Sequence, residues 1–147
     1  MIRVAGVADA AAVTAALRQL AGAMGDPFRS DLAQVERALA CGAVRAVLAG
    51  DQGVALWSPF LSTTRGAMGA YVSDLWVAET ARGQGLGGAL LAAVRDAAAA
   101  EFGRVFLRLS VYDDNGGARA FYERLGFAGK AGEIWLTLEG VALEALA

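Results

Sequence analysis

The part of the sequence most suited to hold a ligand is a glycine-rich segment with one cation, Arg82-Gly83-Gln84-Gly85-Leu86-Gly87-Gly88. Glycines let a backbone approach a ligand closely, and Leu86, Leu90 and Val94 follow at helical spacing. The start of a helix offers unpaired N–H groups and the positive end of the helix dipole. The segment therefore predicts a cradle for an anion such as pyrophosphate.

The same glycines have two other readings. Gly83, Gly85 and Gly88 also fit the G-x-G-x-x-G fingerprint of dinucleotide-binding proteins. In those proteins a long doubly wound sheet follows the first glycine, whereas too little chain follows Gly88 to complete one. A Walker loop would need Gly-Lys-Ser or Gly-Lys-Thr, which the sequence lacks. A plain turn between strand and helix stays open as the structural alternative.

A carboxylate interrupts the apolar segment just before the glycines, in Ser73-Asp74-Leu75-Trp76-Val77. Strand alternation places Asp74 on the same side as Val72 and Trp76. A carboxylate among apolar residues needs a compensating partner or a function. It could accept the proton of an amine through water or hold a cationic substrate. An ion pair with an arginine or an exposed edge position is the open alternative.

The composition limits the classes of protein that remain. The chain has 147 residues, 56% of them hydrophobic, which predicts a single domain over residues 1–147. It has no histidine and one cysteine, Cys41, so zinc sites, haem sites and histidine-based nucleophile pairs lose their usual ligands and bases, and no metal is expected. The net charge of −2 argues against a nucleic-acid partner. We expect a cytoplasmic chain with no membrane segment.

Periodicity and turn residues predict an α/β fold with a mixed sheet. Apolar residues recur at helical intervals in three segments, and β-rich segments separated by turn residues predict an antiparallel meander with Pro59 at a bulge or an edge. The predicted order is β-α-α-β-β-β-α-β-α-β(-β): a strand at 2–5, a helix from Asp9 to Met24, a helix from Ser30 or Asp31 to Gly42, strands at 44–49, 54–61 and 70–78, a helix from Leu86 to Gly103, a strand at 105–111, a helix from Asn115 to Gly126 and a last strand at 133–138.

Two motifs in this order resemble those of the GNAT superfamily of acyl-CoA N-acyltransferases. The first is Val77 followed by Arg82-Gly83-x-Gly85-Leu86-Gly87 before a long helix. The second is Asn115-x-x-Ala118-x-x-Phe121-Tyr122-x-x-Leu125-Gly126-Phe127. The opening strand, the paired helices and the meander are also similar, so the resemblance spans nearly the whole chain. Glu79 departs from the family, because many relatives have a proline between the strand and the glycines.

The resemblance implies a role for each candidate residue. The pyrophosphate of acetyl-CoA would lie over the N–H groups of residues 84–88, with Arg82 adding charge or bracing the loop. The pantetheine arm would pair with the backbone of Leu75, Trp76 and Val77, and Asn115 would hydrogen-bond the arm or simply cap its helix. A backbone N–H near Trp76 or Val77 would hold the thioester oxygen if this strand has the family's bulge, which separates it from its neighbour. Tyr122 would protonate the leaving thiolate, unless it is a core aromatic beside Phe121.

The implied activity is transfer of an acetyl group from acetyl-CoA to a primary amine by direct attack in a ternary complex. Asp74 is the favoured general base and Glu133 the reserve. The acceptor stays open between small amines, polyamines, aminoglycosides and peptide or protein amines, with specificity expected from residues 25–30, including Phe28, and 59–69. A non-catalytic acyl-CoA sensor on the same fold is the alternative function. A homodimer is possible, because many relatives are dimers.

Overall fold

The computed structural model describes residues 1–147, which divide into one unit of residues 1–110 and one of residues 111–147. The first unit is an α/β unit built on a five-stranded sheet. Its strands are β1 (Arg3–Val4), β2 (Arg45–Leu48), β3 (Gly53–Ser62), β4 (Ala67–Val77) and β5 (Val105–Arg108), and its helices are α1 (Ala10–Met24), α2 (Leu32–Ala40) and α3 (Leu86–Phe102). The mixed α/β fold predicted from the sequence is confirmed.

The strands lie in the order β1-β2-β3-β4-β5. Neighbours are antiparallel except β4 and β5, which are parallel and pair only between residues 68–71 and 105–108. Pro59 lies beyond the part of β3 that pairs with β2, so β3 is an edge strand on that side at Pro59. Proline has no N–H to donate to a neighbouring strand, which explains its tolerance at this position.

Helices α1 and α2 cover one face of the sheet. Asp31 begins α2, because its carboxylate accepts the Gln34 N–H at 2.7 Å, and Gly25 ends α1 with a left-handed φ of 73°. The apolar faces of the two helices form one buried cluster with the sheet. Its buried members are Ala10, Val13, Ala16, Leu17, Val35, Ala46, Leu48 and Val54.

Helix α3 packs on the opposite face. Val54 points into the α1 and α2 cluster, so the adjacent Gly53 faces the other way. A Cβ atom at Gly53 would lie 2.9 Å from a methyl group of Leu90 in α3, so the missing side chain permits this close approach. Leu90 and Val94 are completely buried in the contact. No helix in the chain combines the length and the apolar character that crossing a bilayer requires.

The second unit contains two helices, α4 (Gly116–Arg124) and α5 (Gly140–Glu144). The predicted strand at 133–138 is wrong: this segment belongs to no sheet, and Ile134, Trp135 and Leu136 are strongly exposed. Alternating residues supply two faces but no partner, and a strand exists only where a neighbouring backbone completes its hydrogen bonds. Helix α5 was absent from the predicted order, and β5 ends at Arg108 instead of residue 111.

Candidate active site

The glycine segment adopts the conformation that its composition predicts. Gly83 and Gly85 have φ angles of 74° and 79°, in the left-handed region that residues with a side chain rarely adopt. Apart from the adjoining residues of the loop, no atom of the chain lies within 4 Å of the position that a Cβ would occupy at either glycine. The conformation requires glycine there, and the space beside the loop is open to a ligand.

Helix α3 begins directly from this loop with unpaired donors. Ala89 is the residue whose N–H donates to the Gly85 carbonyl oxygen, at 3.1 Å, as the first closed turn of the helix. The N–H groups of residues 85–88 precede that turn, where a helix has no internal acceptors to offer. They lie at the positive end of the 17-residue helix and provide the donors that an anion needs.

Arg82 connects the loop to the sheet. Its Nε donates to the Val77 carbonyl oxygen at 3.1 Å, and Gln84 Nε2 donates to the Thr80 carbonyl oxygen at the same distance. Arg82 is exposed and forms no ion pair with a carboxylate. Of the two predicted roles, the structure shows bracing directly, and the terminal nitrogens of Arg82 still carry charge at the loop.

The last part of β4 has a free backbone edge. Pairing with β5 ends at Tyr71 and Arg108, while β4 continues to Val77, so residues 72–77 pair with β3 alone. The Ala78 N–H points to the β3 side of the strand and donates to the Gln52 carbonyl oxygen at 2.8 Å. Because N–H directions alternate along a strand, those of Val77 and Leu75 point to the free edge. The Arg82 bond to the Val77 oxygen agrees with that direction. The N–H of Trp76 points towards β3, so Val77 is the better placed of the two predicted oxygen-binding residues.

A β-bulge at Ser73 decides where Asp74 points. Leu56 pairs with Asp74 but the next residue, Trp57, pairs with Val72, so Ser73 is an extra residue in β4. Partners across a strand pair share a face, and consecutive residues of β3 lie on opposite faces. Asp74 therefore lies on the α1 and α2 face with Trp76, as predicted. Val72 lies on the α3 face, which corrects the prediction that Val72 and Asp74 lie together.

Asp74 is partly exposed, and its carboxylate accepts a 2.7 Å hydrogen bond from the Ser73 hydroxyl. No arginine pairs with it, so the ion pair considered as an alternative does not form. An accessible carboxylate without a counter-charge can accept a proton or attract an ammonium group. The residue pattern does not single out Ser73, because the position of a bulge leaves no mark in it.

The second unit holds the two remaining candidates. The Asn115 side-chain oxygen accepts the Ala118 N–H at 3.1 Å, so Asn115 caps α4, and its amide group keeps its two donors. Tyr122 packs against Phe121 and Phe127, with ring centroids 5.1 and 5.6 Å away. Burial raises the pKa of the Tyr122 phenol above its usual value, so the proton stays on the oxygen at neutral pH.

Three other predicted features have different surroundings. Glu133 forms an ion pair with Lys130 and opens no strand, which removes the structural context proposed for it as reserve base. Phe28 packs on the α1 and α2 core, with the Arg18 guanidinium 5.2 Å from its ring centre. Residues 59–69 form the turn end of the β3–β4 hairpin, in which only residues 63–66 connect the strands.

Comparison with known proteins gives one family. The sequence model described as the acetyltransferase (GNAT) family matches residues 40–127. Among solved structures, the ribosomal-protein-alanine N-acetyltransferase from Brucella melitensis biovar Abortus 2308 superposes with a TM-score of 0.76 at 22% identity, covering 94% of this chain and 99% of that one. An aminoglycoside acetyltransferase from an uncultured soil metagenomic sample, solved in complex with sisomicin, has a TM-score of 0.79 at 15% identity, covering 95% and 96%. A search of curated protein sequences finds no match.

Proposed function

Because the chain belongs to the acetyltransferase (GNAT) family, we propose that residues 1–147 form one domain that transfers an acetyl group from acetyl-CoA to a primary amine. The observation that carries this proposal is the junction of two features in the first unit. The free edge of β4 ends at Val77, and Arg82 ties that residue to the loop that begins α3. A ligand with an amide-bearing arm and a pyrophosphate needs such an edge next to such a loop.

The acetyl-CoA pyrophosphate is bound by the N–H groups of residues 84–88, opening α3, with the charge of Arg82 beside them. The pantetheine arm adds to the sheet along residues 75–77, with Asn115 as a further donor. No metal takes part in this arrangement. The backbone thus supplies most of the binding, and the glycines are needed because side chains would occupy the ligand's place.

The chain's own residues then serve three steps of direct acyl transfer. The Val77 N–H points to the free edge and stabilises the negative charge that grows on the carbonyl oxygen as the amine attacks. Asp74 accepts the amine proton, directly or through water. The carbon–sulfur bond breaks, and the protonated phenol of Tyr122 gives its proton to the departing sulfur.

A thiol-release assay with acetyl-CoA and a set of amines tests this function. The set contains simple alkylamines, a polyamine, an aminoglycoside and a peptide with N-terminal alanine, because the structural neighbours act on proteins and aminoglycosides. We expect amine-dependent thiol release with at least one class. Tight acetyl-CoA binding with no turnover of any amine would instead indicate an acyl-CoA sensor, and failure to bind acetyl-CoA would contradict both.

A further inference from the structure

An arginine and phenylalanine cluster lies on the α1 and α2 face of the sheet, at the hairpin end of β3 and β4. Phe60 and Phe106 meet edge to face over Gly69, with ring centroids 5.4 Å apart. A Cβ at Gly69 would lie 2.5 Å from the Phe60 ring and 2.7 Å from the Phe106 ring, so glycine is what lets the rings meet. We refer to Phe60, Phe106, Arg65 and Arg108 as the Arg-Phe cluster.

The two cations of the Arg-Phe cluster are held by aromatic rings and not by carboxylates. The Arg65 guanidinium carbon lies 4.9 Å from the centre of the Phe106 ring, and that of Arg108 lies 5.1 Å from the centre of Phe60. The ion pairs of the chain all use other cations. A guanidinium held by a ring keeps its N–H groups for an anion. The Ser62 hydroxyl accepts the Arg65 N–H at 3.3 Å and so steadies the turn that presents Arg65.

Asp74 and the Arg-Phe cluster share this face. Phe60 and Phe106 both lie opposite Gly69, and Arg108 lies opposite Tyr71, two residues further along β4. The extra residue at Ser73 returns Asp74 to the same face. The β3 partners of Tyr71 and Asp74, Ser58 and Leu56, are two residues apart, so Asp74 lies about 7 Å along the sheet from Tyr71. One face of the sheet therefore carries an unpaired carboxylate and two unpaired guanidinium groups, and Tyr71 lies on that face between Asp74 and the Arg-Phe cluster.

We propose that the acceptor is a small amine that also carries a carboxylate, with its amine at Asp74 and its carboxylate at Arg108 and Arg65. This inference rests on the proposed function and names the substrate class. Opposite charges on one face match the two ends of such a molecule. Arg108 touches the carboxylate in this arrangement and sets specificity, without taking part in the bond changes.

Acetylation kinetics with two matched series of acceptors test the proposal. One series consists of ω-amino carboxylates of increasing chain length, and the other of alkylamines with the same number of carbons. We expect the carboxylates to be preferred, with kcat/KM highest for one chain length, the one that reaches from Asp74 to Arg108. Arg108→Gln should lower that preference about 10- to 100-fold, mainly through KM, because a charge-assisted hydrogen bond is lost.

Arg95→Gln is the matched control, since Arg95 pairs with Asp96 on α3 and should leave the preference unchanged. Equal rates for both series, or an Arg108→Gln variant with the parent's preference, would overturn the proposal while the proposed function stands. If acetyl-CoA binds and neither series is acetylated, acetylation of another amine class overturns this proposal while the proposed function stands, and acetylation of no amine overturns the proposed function. Calorimetric titration of each amino carboxylate of the series then tests binding at the proposed site without turnover. Binding that Arg108→Gln weakens supports the site, and absence of binding overturns it.

Discussion

Tyr122 has the protonation state that a general acid needs and the packing that a core residue needs. Its ring lies between Phe121 and Phe127, and that burial is also what raises the pKa of its phenol. The two roles are therefore separable only by a change that keeps the ring. Phenylalanine keeps the ring and removes the proton.

We expect Tyr122→Phe to slow the chemical step about 10- to 1,000-fold, the range for loss of one positioned proton donor. Acetyl-CoA affinity should stay within a few fold, because the packing is kept. In the parent protein, deprotonation of Tyr122 should lower kcat only above pH 10, because the raised pKa keeps the proton on the phenol up to that pH. Single-turnover rates across pH measure this, with Tyr112→Phe, an exposed tyrosine of the same unit, as control. Parent-like rates in Tyr122→Phe would make Tyr122 a packing residue.

Asp74 can be tested by the pH dependence of its loss. If its carboxylate accepts the amine proton, Asp74→Asn should reduce turnover most at low pH, where fewer amines are already deprotonated in solution. The deficit should shrink as the pH approaches the pKa of the acceptor amine. Steady-state rates over pH for Asp74→Asn and for Asp96→Asn, an exposed control on α3, measure it. A raised KM with an unchanged pH profile would assign Asp74 to substrate binding alone.

The loop before α3 acts as an element, because its backbone and not its side chains forms the proposed cradle. Gly85 has a φ of 79°, so both Gly85→Asp and Gly85→Asn carry the same backbone strain and nearly the same volume. Only Asp adds a negative charge beside the pyrophosphate. We expect both variants to weaken acetyl-CoA binding and Gly85→Asp to weaken it at least tenfold more in calorimetry. Equal affinities would place the phosphates elsewhere.

The contact between β3 and α3 depends on a second glycine. A Cβ at Gly53 would lie 2.9 Å from Leu90 and 3.1 Å from the Trp76 carbonyl oxygen, and the backbone oxygen has little room to move. We expect Gly53→Ala to cost about 1–3 kcal/mol of unfolding free energy, as overpacked cores do. Gly22→Ala is the matched control: it lies within α1 with open space around it, and should stabilise by about 0.5–1 kcal/mol. Urea unfolding of both variants compares them.

Periodicity and turn residues predicted most of the helices and strands of the chain. Asp31 and Gly25 mark helix ends in the sequence as they do in the structure, and the glycine loop lies where its composition places it. The resemblance implied a bulge in this strand, but its position at Ser73 could not be predicted, because an extra residue in one strand is defined by the register of its partner. The prediction of a strand at 133–138 failed for a related reason. Alternation predicts which side chains share a face, but it does not predict whether a neighbouring strand is present to pair with. The Arg-Phe cluster combines residues of β3, of β5 and of the turn between β3 and β4, so only the fold brings it together.

At the scale of the whole molecule, the net charge does not favour acetyl-CoA binding, so local contacts must supply the affinity. The chain carries −2 and acetyl-CoA is strongly anionic, so the overall field does not attract it and the loop donors must supply the binding energy. Pantetheine separates the contribution of the β4 edge from that of the loop, because it can pair with the β4 edge but has no pyrophosphate for the loop. Binding of acetyl-CoA should therefore exceed that of pantetheine by far more than any difference between acetyl-CoA and free CoA.

A ligand that binds the folded chain and not the unfolded chain raises the free energy of unfolding. The increase is about 2.7 kcal/mol at a ligand concentration 100 times Kd. For a chain of this length each kcal/mol raises Tm by about 2–4 °C, so acetyl-CoA should raise Tm by about 5–10 °C. Pantetheine and NAD at equal concentration should leave Tm nearly unchanged, the first for lack of phosphates and the second for lack of an amide-bearing arm that fits the β4 edge. Thermal unfolding followed by circular dichroism measures all three. A shift with NAD equal to that with acetyl-CoA would mean that the loop binds any pyrophosphate and that the edge at residues 75–77 contributes nothing.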